Sequence, residues 1–125
     1  MKCFVFFNLD ECCVHIEVYY ETKNAAYDIH SPMYGTYTKL SEIVNGRSHY
    51  QSDFDDGYYG IWWDECNVWM IGYTYKLGQC FGNAYTTEDE KCVHNVGWNW
   101  LYSDVQGKAW HEAGEGLGVR CTGMN

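Results

Sequence analysis

Residues 58–75 read Tyr58-Tyr59-Gly60-Ile61-Trp62-Trp63-Asp64-Glu65-Cys66-Asn67-Val68-Trp69-Met70-Ile71-Gly72-Tyr73-Thr74-Tyr75. Two runs of aromatic and β-branched residues, Tyr58 to Asp64 and Val68 to Tyr75, flank Asp64-Glu65-Cys66-Asn67, a polar connection of hairpin length. No apolar spacing of three and four runs through either segment, so a helix is disfavoured and a pair of antiparallel strands is expected. Alternation along a strand sends Trp62 and Trp63 to opposite faces, as it does Tyr58 and Tyr59. One member of each pair should be buried and the other exposed or covered by a loop.

The same texture extends in both directions. Upstream, strands are expected at Cys3 to Phe7, at Cys12 to Tyr20 with Val14, Ile16 and Val18 facing inward, and at Met33 to Leu40. Asn45-Gly46 is the strongest turn dipeptide and should reverse the chain into Ser48 to Ser52, while Glu21 to Ser31 reads as a polar loop. Downstream, Lys76 to Gln79 reads as a turn, Phe81 to Thr86 as a short strand and Thr87 to Lys91 as a charged loop. Trp98 to Tyr102, Ala109 to Glu112 and Leu117 to Cys121 follow as strands, with bends at Gln106-Gly107 and Gly114-Glu115-Gly116. About ten short strands at this spacing predict an all-β antiparallel sandwich or barrel-like module, and 125 residues make it one domain spanning residues 1–125. Trp69, Ile71, Trp98 and Trp100 are the expected core, because a domain poor in Leu and Ile fills its interior with rings.

Eight basic against seventeen acidic residues give a formal charge of −9, which disfavours nucleic acid, since phosphates would meet the protein's own field. No run approaches the length of a membrane span. The segment after Lys2 is too short for an export signal, so a mature chain, an excised module or a targeting segment outside this sequence is expected. Seven cysteines in so short a chain read as a disulfide framework of an oxidising compartment. Without a C-x-x-C knuckle, structural zinc is the weaker alternative. The expected bridges join Cys80 to Cys92, Cys121 to Cys3 or to one of Cys12 and Cys13, and Cys66 to the remaining member of that adjacent pair. Cys12 is the candidate free or intermolecular thiol.

The succession Gly35-x-Tyr37, Asn45-Gly46-Arg47-x-x-Tyr50, Ile61-Trp62-Trp63, Trp69-Met70-Ile71-Gly72, Gly82-x-Ala84-Tyr85, Cys92, Trp98-x-Trp100, Trp110 and Val119-x-Cys121 resembles a Cys-containing, Trp- and Gly-rich module. Modules of this kind occur in secreted and surface proteins of invertebrates and some protists. The resemblance covers Met33 to Cys121 and implies an extracellular, non-catalytic role, with no catalytic residues and no ligand to carry over. This chain departs from it in standing alone and in its Cys12-Cys13 pair.

Catalytic signals are weak. The five histidines do not cluster, no Ser lies in a G-x-S-x-G elbow, and Gly114-x-Gly116-x-Gly118 precedes a terminal strand instead of opening a helix. Carboxylate neighbours such as Asp64 and Glu65, or Glu88, Asp89 and Glu90, are of the type that glycoside hydrolysis uses, but spacing alone does not set them across a bond. Asp53-Phe54-Asp55-Asp56-Gly57 has the alternating carboxylates of a calcium loop, without the flanking helices or the bidentate Glu of an EF-hand. A solvated acidic turn is the simpler reading of Asp53, Asp55 and Asp56, and no cofactor is expected. The rings Tyr58, Tyr59, Trp62, Trp63 and Trp110 are the candidate ligand or interface residues. The expected function is a secreted, non-enzymatic structural or adhesive module that assembles with itself or contacts other extracellular proteins. The alternative is a carbohydrate-binding module that stacks sugars on exposed Trp and Tyr.

Overall fold

A computed structural model describes residues 11–123. The chain is mostly β. Among the described residues nine strands form one antiparallel sheet: β1 (His15–Tyr19), β2 (Gly35–Val44), β3 (Arg47–Ser52), β4 (Tyr59–Trp63), β5 (Trp69–Tyr73), β6 (Ala84–Thr86), β7 (Leu101–Ser103), β8 (Trp110–Glu112) and β9 (Gly118–Cys121). The order across the sheet is β8-β7-β6-β5-β4-β3-β2-β1-β9, a continuous meander whose last strand returns to the outer side of β1. The expected strand at Cys3 to Phe7 lies outside the described residues.

Chain connectivity forces this sheet to bend. β8 and β9 are its opposite edges, and laid flat they would stand about 38 Å apart at the usual strand spacing. Only residues 113–117 separate them in sequence, and so short a link spans at most about 21 Å even when extended. The sheet therefore curls into a half-barrel, and its concave side holds the core. Register builds an inner row of two runs that step by one pair between β2 and β3: Ile16 opposite Tyr37, then Tyr50 opposite Ile61, Ile61 opposite Ile71, Ile71 opposite Ala84, and Ala84 opposite Tyr102. All are buried. The buried phenols find acceptors, Tyr37 donating to the Met33 carbonyl and Tyr50 to that of Cys13, each at 2.6 Å.

The open side is filled by a helix where the sequence reads as a loop. α1 (Ala25–His30) is too short to display a helical period, but Asn24 caps it by accepting from the Ala26 amide at 3.0 Å. The same Asn24 amide group donates to the Ala113 carbonyl, and a His30 ring nitrogen lies 2.7 Å from the Ser103 carbonyl, so the helix is tied to β7 and to the link between β8 and β9. The Asn45-Gly46 reversal forms as expected. Both residues have positive φ, 51° and 88°, which suits a two-residue hairpin turn between Val44 and Arg47.

Three disulfides join Cys12 to Cys92, Cys13 to Cys121 and Cys66 to Cys80. This corrects the expected Cys80–Cys92 bridge and the expected partner of Cys66. Cys66 sits at the exposed tip of the β4–β5 hairpin, beside the loop that carries Cys80, whereas Cys92 lies buried near the start of the described chain. Cys12 is bonded, so it is not the free thiol. Of the partners open to Cys121, the fold selects Cys13, because β1 and β9 pair and bring residues 13 and 121 to a Cα separation of 5.8 Å. Cys3 lies outside the described residues. Three disulfides suit an oxidising, extracellular environment. Among the described residues no helix is long and apolar enough to cross a membrane.

Candidate functional site

The five candidate rings divide by burial. Trp63 lies on the inner face, opposite Trp69, and carries the Arg47 guanidinium 3.5 Å above its ring. Arg47 also reaches Asp89 at 2.6 Å and the Glu90 carbonyl at 2.8 Å, which fixes the acidic loop to the sheet. Trp62 lies on the opposite face and is nonetheless fully buried, because residues 74–83 fold back over it. Gly60 and Gly72 stand opposite each other beside that indole and leave room for its ring and for the Gly82 backbone. The Trp62 indole N–H donates to the Gln79 carbonyl at 3.0 Å, and Cys66–Cys80 pins the cover in place. Tyr59 is buried as well, so Trp62, Trp63 and Tyr59 cannot present faces to a ligand. Tyr58 and Trp110 do, at 46% and 43% exposure.

Between these two rings the structure places others that sequence reasoning did not single out. Tyr73 and Tyr75 stack at 5.7 Å with an interplanar angle of 8°, and Tyr58 lies 4.9 Å from Tyr73. Tyr75 and Phe81 are strongly exposed, with the Lys76 ammonium 4.9 Å from the Phe81 ring. A depression of about 370 Å³ joins Tyr73 and Phe81 to Val105 and Trp110. Trp110 is braced edge-on by Tyr85 at 4.8 Å and lies on the edge strand β8, whose three residues are all exposed. The signal for this surface was the Tyr58/Tyr73/Tyr75 spacing, but a strand reading carried to Tyr75 hid it: the chain leaves β5 at Tyr73 and turns.

A second concave site, of about 400 Å³, lies where the chain enters β7 and leaves β8. Its walls include Glu88, Trp98, Asn99, Trp100 and Glu112. Trp100 is in the core as expected, but Trp98 is 36% exposed, a correction that follows from its position. It precedes β7, so strand alternation with Trp100 does not apply to it. Its ring lies over Gly118, where a Cβ would come within 2.6 Å, and meets Tyr19 edge-on at 5.5 Å.

The carboxylates of the acidic turn do not gather. Asp53, Asp55 and Asp56 are exposed, and Asp53 accepts from the Thr38 hydroxyl at 2.6 Å. Among the described residues, the triads of potential metal ligands that converge are Cys13, His94 and Cys121, and Asp64, Cys66 and Cys80. In each, the two sulfurs are already joined to one another. Burial lowers the His94 pKa and keeps the ring neutral beside Cys13. Burial also raises the Asp64 carboxyl pKa from its ordinary value, with the neighbouring Glu65 charge adding to it, against the pull of the Val68 and Cys66 amides that donate to it. Compared with protein-family models, curated proteins and solved structures, the chain matches none.

Proposed function

We propose that this chain is an extracellular, non-enzymatic module that acts by contact, assembling with itself or adhering to other extracellular proteins. The observation that carries the reading is the continuous aromatic surface from Tyr58 through Tyr73, Tyr75 and Phe81 to Trp110. Tyr and Trp bury large area at low entropic cost, which makes them the usual anchors of interfaces. The surface ends on β8, a sheet edge where a second copy finds a strand to pair with. The three disulfides support the extracellular setting, and the assembly reading no longer needs Cys12.

Sedimentation velocity across a concentration series tests the self-assembly form. Reversible association that weakens in Tyr75→Ala and Trp110→Ala supports it. A monomer at all concentrations, with and without reductant, removes self-assembly and leaves heterotypic adhesion. The carbohydrate-binding alternative is favoured by a different observation, the Trp98 cleft.

A further inference from the structure

We infer that the cleft beside Trp98 is a binding site for an uncharged glycan, with the Trp98 ring as the stacking platform and Glu88, Asn99 and Glu112 as hydroxyl-binding groups. A pyranose presents C–H bonds on one face and hydroxyls around its rim. A site for it needs a fixed aromatic face and converging acceptors and donors. The cleft supplies both. Trp98 is held before any ligand arrives: the six-membered part of its ring lies over Gly118, and its edge meets Tyr19. The loop behind it is fixed by Glu88, one of whose carboxylate oxygens accepts from the Gly97 amide at 2.7 Å. That contact leaves the second oxygen of Glu88 to accept from a sugar hydroxyl. Glu112, exposed at the end of β8, brings a second carboxylate to the cleft, and Asn99 brings an amide that both donates and accepts.

Trp100 contributes to the wall of the cleft and is 1% exposed, so it packs behind the site and holds its back in place.

The same residues set the class of glycan. Two carboxylates line the cleft and the chain carries a net charge of −9, so sialylated, sulfated or phosphorylated glycans would be repelled and neutral ones are preferred. At about 400 Å³ the cleft lies toward the small end of ligand sites, which suits one or two sugar units of a longer chain. This inference stands apart from the contact reading of the Tyr58–Trp110 surface: the two meet only on β8, where Trp110 belongs to that surface and Glu112 to the cleft, and failure of self-association leaves it untouched.

The test is a titration of the intact, oxidised protein, followed by indole resonances in heteronuclear NMR and by calorimetry. The probes are tetrasaccharides of glucose, of N-acetylglucosamine, of galactose and of mannose, with sialyllactose and a heparin tetrasaccharide as anionic counterparts. At least one neutral probe should bind and shift the Trp98 and Trp100 indole signals. Trp98→Ala and Gly118→Ala, the latter displacing the ring without removing it, should each weaken binding by about tenfold or more. Glu112→Gln, at an exposed position that bears no packing, should weaken it while leaving the melting temperature unchanged. Absence of binding by every neutral probe up to about 10 mM overturns the inference. So does an affinity indifferent to Gly118→Ala and Glu112→Gln, and tighter binding of the anionic probes overturns the ligand class.

Discussion

Asp64 shows how one side chain closes a hairpin at a measurable cost. Its Oδ1 accepts from the Cys66 amide at 2.8 Å and the Val68 amide at 3.2 Å, tying off the β4–β5 connection, while its Oδ2 is buried with no partner. Asp64→Ala removes the acceptor that both amides share and should cost about 1–3 kcal/mol in urea unfolding, because two loop amides lose their partner. Burial raises the carboxyl pKa in the folded chain, so the folded state binds the Asp64 proton more tightly than the unfolded state does. The contribution of this residue to stability is then greatest below the ordinary carboxylate pKa and declines as pH rises through the raised value. Asp64→Asn keeps the acceptor and has no proton to lose. Its stability should decline less than that of the wild type as pH rises over that window, and parallel profiles would show that burial does not perturb Asp64. Glycine matters at the same scale where the chain crosses itself. A Cβ on Gly72 would lie 2.8 Å from the Gly82 Cα and 3.1 Å from the Phe81 carbonyl, backbone atoms that cannot rotate away. Gly72→Ala should therefore destabilise by about 1–3 kcal/mol or more, as overpacking does. Gly107→Ala, where a Cβ meets no atom within 4 Å but φ is +69°, isolates a different cost, left-handed backbone strain, which Gly72 does not carry.

Among the elements, the loop over Trp62 is the one that Cys66–Cys80 ties down. Its backbone makes the Gln79 and Gly78 contacts to the indole of Trp62 and the amides of Asn45 and Glu65, and the disulfide anchors it to the hairpin tip. Closing a loop of 14 residues is worth about 3 kcal/mol in the chain-entropy model. Cys66→Ser with Cys80→Ser should therefore lower stability by up to that amount and red-shift tryptophan emission as the cover frays and water reaches Trp62. A loss of stability with no change in emission would mean that the cover stays down without its bridge. How legible these elements were depended on whether local chemistry determined them. Asn45-Gly46 and the β4–β5 hairpin could be read from residues adjacent in sequence. α1 could not, because six residues hold no full amphipathic period and its stability comes from Asn24 and from docking onto residues of β7 and of the β8–β9 link. The burial of Trp62 was half legible: alternation placed it on the face away from Trp63, but the returning loop that covers it depends on Gly60, Gly72 and Gly82 meeting in space. Trp98 was read as core because the strand was started three residues early, and the candidate glycan site went unseen with it.

At the scale of the molecule, the disulfide partners were the least legible feature, since they follow from the curl of the sheet, and the curl follows from the order of strands that no local pattern displays. Once β9 is placed beside β1, Cys13 and Cys121 must meet, and the Cys12–Cys92 bridge then secures the neighbouring segment. The same curl leaves the two sheet edges unequal. β9 is supported by its pairing with β1, by the buried side chain of Val119, by the Trp98 ring over Gly118 and by the Cys121 bridge. β8 is three residues long, exposed throughout and, among the described residues, paired on one side only, with β7. Backbone amides protected only by so short and solvated a ladder open by local fraying, whereas those of β4 and β5 open only with the core. Hydrogen exchange in the oxidised protein should show β8 amides exchanging about a thousandfold faster than those of β4 and β5, with β9 close to the slow group. Adding the partner that covers the Trp110 edge should slow β8 selectively, which makes the same measurement a detector for the proposed contact. Uniform protection across all nine strands in the monomer would instead mean that β8 closes onto β9 in solution, giving a complete barrel with no free edge for a second chain to join.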